Sequence, residues 1–156
     1  MPRSPDDLKP ESWHRFFAST ANNRAWDLAE LPASEADHRE LLNAAHAAAW
    51  HWQMVGNELN RMRALMLLAQ AHSLAGLGSS ALAYADEVRT FFLAKPDVPD
   101  WELAFVHTVH AHAAGAAGSA KQHAESYAQA SRALQGIADE KDRSMVERVF
   151  RHVPTP

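Results

Sequence analysis

Leu68-Ala69-Gln70-Ala71-His72-Ser73-Leu74-Ala75-Gly76-Leu77-Gly78-Ser79-Ser80-Ala81-Leu82-Ala83-Tyr84 decides the fold. Its first half has alanine and leucine at helical spacing and no alternation of apolar and polar residues, so it reads as a helix. Gly76-Leu77-Gly78 then breaks the pattern as a tight turn, and Ala81 to Tyr84 resumes it. A turn this short forces the two helices to lie antiparallel, which makes the stretch a helical hairpin.

The same reading extends outward. Alanine fills 31 of the 156 positions and β-branched residues are sparse, so helix propensity is high along the whole chain. Breaks fall at Leu31-Pro32, Val55-Gly56, Lys95 to Pro99, Gly115 to Gly118, Gly136 and Pro154. They leave seven helices, expected near 12–30, 35–55, 58–75, 79–94, 99–114, 119–135 and 140–151. Ser34 with Asp37, Asn57 with Asn60, Ser119, and Asp139 with Asp142 are the expected N-terminal caps, since short side-chain oxygens satisfy amides that lack an intrahelical partner. The expected organisation is an irregular leader over 1–11 and one all-α domain over 12–153.

Composition narrows the function. The formal charge is −4 from 15 basic and 19 acidic residues of mixed order, without the basic face that phosphate binding needs, so nucleic acid is not an expected partner. No run approaches the length of a membrane span, and Met1 to Pro10 lacks a signal-like apolar stretch, so a cytoplasmic protein with no membrane partner is expected. With no cysteine, disulfides, Cys-ligated zinc and thiol nucleophiles are excluded.

Segments 64–88 and 104–130 read as two copies of one hairpin about 40 residues apart, with Ala64 over Ala104, Gly78 over Gly118 and Tyr84 near Tyr127. Either Gly115 or Gly118 can serve as the second turn glycine. Leu68 to Gly76 with Ala81 to Tyr84 is similar to the tetratricopeptide pattern: small residues at a close crossing, a turn glycine, then alanine and an aromatic. Tyrosine stands one place early, His72 replaces an aromatic, and the interval exceeds the usual repeat of about 34 residues. Asn22 to Trp26, Leu41 to Trp52, Asp100 to His107 and Ile137 to Arg143 resemble a group of bacterial tetratricopeptide-like proteins with no assigned activity. The resemblance implies a short right-handed α-solenoid of stacked hairpins, and its broader class implies a protein or peptide partner held on a concave groove.

Helical wheels supply the candidate sites. Arg63, Met66, Gln70 and Ser73 share one face of the third helix. Moved forward by one repeat interval, that face meets Leu103, His107, His110 and Ala114 on the fifth. Arg63, Gln70, His107 and His110 are therefore the expected binding strip of a non-enzymatic interaction module. The alternative is a small-molecule or metal-binding helical protein, with a metal-dependent enzyme as a special case, in which His46, Trp50 and Glu102 converge on a central pocket.

No catalytic residue is assigned, because neither a nucleophile elbow nor a phosphate loop is present. His107 and His110 lie one turn apart, but His112 points about 140° away on the same helix, so no metal site and no cofactor is assigned. Arg24 with Trp26 and Asp142 with Arg143 are expected to clamp helices together, and Trp101 to plug a hairpin junction. Self-association into a homo-oligomer would cover an exposed terminal hairpin.

Overall fold

The computed structural model describes residues 3–6 and 9–156 and contains, among them, seven α-helices and no strand. They are α1 (Pro10–Ala29), α2 (His38–Val55), α3 (Glu58–Leu74), α4 (Gly78–Leu93), α5 (Asp100–Ala116), α6 (Ala120–Gly136) and α7 (Glu140–Phe150). The all-α class and the packing of consecutive helices thus follow the sequence reading. Part of the expected leader, Met1, Pro2, Asp7 and Leu8, lies outside the described residues, and α1 begins at Pro10, inside that leader. Proline suits the first helical turn, where its missing N–H would have had no partner.

Each helix packs on the next, and the odd-numbered helices also pack on one another, α1 on α3, α3 on α5 and α5 on α7. The odd helices therefore form one continuous layer. Two buried clusters meet along it. Ala25, Leu28, Leu41, Ala45, Leu67 and Leu68 join α1, α2 and α3. Met66, Val88, Phe92, Phe105, Val109 and Val146 join α3, α4, α5 and α7. Helix α3 belongs to both, which accounts for its apolar residues all round. Helix α5 is buried just as deeply, from Glu102 to Ala114, and this the sequence reading did not anticipate. Alanines without exposed surface, such as Ala104, Ala111 and Ala113, let its neighbours approach closely from every side.

The caps hold in part. Asn57 and Asn60 form a reciprocal capping box at α3, and Asp139 accepts from the amides of Lys141 and Asp142 at α7. At α2 the cap is Asp37, accepting from Glu40 N, and not Ser34. Ser119 makes no side-chain cap, and its amide closes the end of α5.

That closure fixes the repeat register. Leu77 N donates to His72 O and Gly76 N to Ser73 O, while Ser119 N donates to Ala114 O and Gly118 N to Gly115 O. Both ends are Schellman turns, with Gly76 at φ +73° and Gly118 at φ +72°. Gly118 therefore corresponds to Gly76 and not to Gly78, and the interval between the hairpins is two positions longer than expected. Gly78 has a different task. A Cβ there would run into the backbone of Ala116 and Ala117, so its missing side chain lets α4 start against the end of α5.

No described helix is long and apolar enough to cross a membrane.

Candidate functional site

The two-position difference in register decides which side chains meet. Two helical positions are about 200° of rotation, so the longer interval turns the facing surface of α5 almost to its opposite side. Gln70 lies against His112, whose Nδ1–H donates to Gln70 Oε1 at 3.2 Å, 42 residues away. Arg63 lies against Glu102. The expected strip of Arg63, Gln70, His107 and His110 therefore does not form as one surface.

His110 instead faces α4 and α6 with no exposed surface, its Nε2 2.8 Å from Asp86 Oδ1 and its Nδ1 2.7 Å from Ser126 Oγ. An ionised Asp86 can only accept, so Nε2 carries the proton and Nδ1 accepts from the Ser126 hydroxyl. The residue types are those of a hydrolase triad, but Ser126 is fully buried, leaving a substrate no approach. The network ties α5 to its neighbours. His107, nearby, is held to a pKa of about 4 by burial and by the charges of Arg89, His110 and Arg132.

The alternative trio is also dispersed. Trp50 is 61 % exposed on the outer side of α2, near exposed Met54. His46 is drawn into a chain across α2, α3 and α4. Ser80 donates to the Leu77 carbonyl, so its oxygen accepts from His72 Nδ1–H at 2.6 Å, and His72 Nε2 accepts from His46 Nε2–H at 3.1 Å. Of the three, Glu102 lines a cavity in which His46 and Trp50 take no part. Among the described residues no group of three or more His, Asp or Glu is placed to hold a metal ion.

The cavity is a cleft of about 380 Å³ on the layer of odd helices. Trp26, Trp101 and Phe105 supply its aromatic walls together with Trp52 of α2, and Met66 and Met145 its flexible apolar floor. Trp26 meets Phe105 edge to face, with centroids 5.2 Å apart. Trp101 is partly buried: it packs against the core and also lines the cleft.

Two arginines stand in this apolar frame. Arg63 Nε and Nη2 donate to the two oxygens of Glu102 at 2.6 and 3.0 Å, and its guanidinium lies 5.7 Å from the centre of the Trp101 ring. The Glu102 side chain is 3 % exposed and that of Arg63 41 %, so the carboxylate is the buried anchor and the guanidinium the rim. Its hydrogen bonds to Glu102 raise the Arg63 pKa further. Arg148 of α7 donates through Nε to Glu30 at 3.1 Å, and Arg151 Nη2 donates to the Glu30 carbonyl. The end of α1 is thus tied to α7 beside the cleft.

The expected clamps divide. Arg24 pairs with Glu40 at 2.7 Å between α1 and α2, whereas Arg143 donates to the Ile137 carbonyl in the α6–α7 connection and not to Asp142.

Sequence reasoning therefore found Arg63 and Glu102 but placed them in different sites, and it missed Trp52 and the role of Arg148. The dipeptide Ala75-Gly76 recurs as both Ala114-Gly115 and Ala117-Gly118, so the chain offers the longer register without selecting it. No family model, curated protein or solved structure matches the chain.

Proposed function

We propose that the chain is a non-enzymatic interaction module of tetratricopeptide-like type that holds an apolar segment of a protein or peptide partner in the cleft of the odd-helix layer. One observation carries this reading: three tryptophans and a phenylalanine from three different helices converge on one cleft, with two arginines at its edge. Tryptophan and arginine are the side chains most often responsible for binding energy at protein interfaces, because they bury much surface and keep a polar handle. The groups there are suited to holding rather than reacting. Glu102 is neutralised by Arg63, and no histidine or serine lines the cleft.

A second reading, a small-molecule binding protein, draws support from the volume of the cleft, which falls within the range of small-ligand sites. It replaces the pocket of His46, Trp50 and Glu102 with one built on Trp26, Trp101 and Glu102.

Selection of a random peptide library on the immobilised protein tests the leading reading. Peptides enriched on the wild type should be lost from folded Trp101→Ala and Trp26→Ala variants and kept by Trp50→Ala, which changes an aromatic outside the cleft. Enrichment of the same peptides on all four proteins, or of none on the wild type, would overturn it.

A further inference from the structure

The polar atoms around the cleft differ sharply in what they have left to offer. Both oxygens of Glu102 are taken by Arg63, and Asn60 Oδ1 is taken by the Asn57 amide in the α3 capping box. Glu30 keeps one carboxylate oxygen, and Asn22 its amide oxygen. Against these few acceptors stand many donors. Arg63 binds Glu102 through Nε and Nη2, so its Nη1 edge is unengaged. Arg148 uses Nε on Glu30 and Nη1, weakly, on the Ser144 carbonyl, which leaves Nη2. The indole N–H groups of Trp26, Trp52 and Trp101 have no hydrogen-bond partner among the described residues.

A ligand that fills the apolar volume must therefore bring acceptors with it. Two guanidinium groups, each fixed in orientation by its own carboxylate, favour a third carboxylate over a neutral carbonyl, since charge-assisted hydrogen bonds to a planar fork are the stronger ones. Lysine is absent from the lining, so the recognition is directional.

We infer that the cleft recognises an acidic–apolar peptide segment, in which a Glu or Asp side chain meets Arg63 and Arg148 while a neighbouring leucine- or phenylalanine-sized side chain sits among the tryptophans. The inference rests on the peptide-binding reading above and adds the chemistry of the partner.

Quenching of the protein's tryptophan emission by short acetylated and amidated peptides tests it. The three probes alternate Leu with Glu, Leu with Gln, and Leu with Lys. The Glu peptide should bind at least about tenfold more tightly than the Gln peptide and lose that advantage as salt is raised. Arg148→Gln, whose partner Glu30 is partly exposed, should weaken the Glu peptide about tenfold and leave the Gln peptide unchanged. The paired variant Arg63→Gln with Glu102→Gln should do the same without stranding a buried charge.

Equal binding of the Glu and Gln peptides, or an Arg148→Gln protein that binds the Glu peptide like the wild type, overturns the carboxylate inference while leaving peptide binding in place. Failure of all three peptides removes both readings. Phenylacetate matching the Glu peptide in affinity overturns the peptide as the source of the carboxylate and favours a small acid.

Discussion

Glu102 is the residue on which the cleft wall depends. A carboxylate buried at the start of a helix is stable there only while Arg63 neutralises it, so removing the arginine exposes the cost of the burial. Arg63→Ala should lower stability by about 2–4 kcal/mol, near the lower end for a broken buried pair because water reaches the guanidinium side. Urea unfolding of Arg63→Ala, alone and combined with Glu102→Gln, checks this. The second substitution should recover most of the loss, and no recovery would assign the effect to lost packing against Trp101 instead. From sequence, Arg63 and Glu102 are both legible as polar positions on apolar helices. Their partnership is not, because 39 residues separate them and two registers were open.

Within the elements, three glycines separate three physical causes. Gly118 sits at φ +72° with open space around it, so Gly118→Ala should cost about 1–2 kcal/mol from backbone strain alone. Gly78 has no such φ, but a Cβ there would enter the backbone of Ala116, so Gly78→Ala should push α4 from α5 and cost more than Gly118→Ala. Gly136 ends α6 with nothing near it, and Gly136→Ala should be neutral or stabilise by up to about 1 kcal/mol. Melting temperatures of the three variants, ranked Gly136→Ala above Gly118→Ala above Gly78→Ala, check the assignment. Helix positions were readable because punctuation and caps are local. The choice of Gly118 over Gly115 as the turn residue was not, since either glycine can adopt a positive φ and only the packed hairpin selects one.

At the scale of the whole molecule, most of the ten histidines stand between helices. His14 and His51 share a hydrogen bond at 2.8 Å across α1 and α2, as His46 and His72 do across α2 and α3. Burial, aided by neighbouring positive charge, lowers the pKa of His51, His72, His110 and His152, and pushes His112 down to about 4. A histidine with a folded pKa below its ordinary 6.5 holds fewer protons folded than unfolded. Its contribution is intact above pH 6.5 and is withdrawn as pH falls toward the folded value. Stability should thus be flat above neutrality and decline steadily from pH 6.5 toward 4, with His112 alone accounting for about 3 kcal/mol across that range. Urea midpoints at pH 7.5, 6 and 5 check the decline. His112→Gln, which can keep a hydrogen bond to Gln70, should make it shallower, and a stability that is constant down to pH 5 would show that the interhelical imidazoles are solvated.

By itself, the sequence determined the helical class, the seven elements, most of their ends and their pairing into consecutive hairpins. Each of these follows from interactions within a turn or two of the chain. Tertiary structure decided which faces meet, because a helix presents a new face at every position and lengthening the repeat by two positions is about half a rotation. That half rotation sends His107 and His110 into the contacts with α4 and α6, brings Gln70 to His112, and sets Arg63 and Glu102 beside the tryptophans of the cleft.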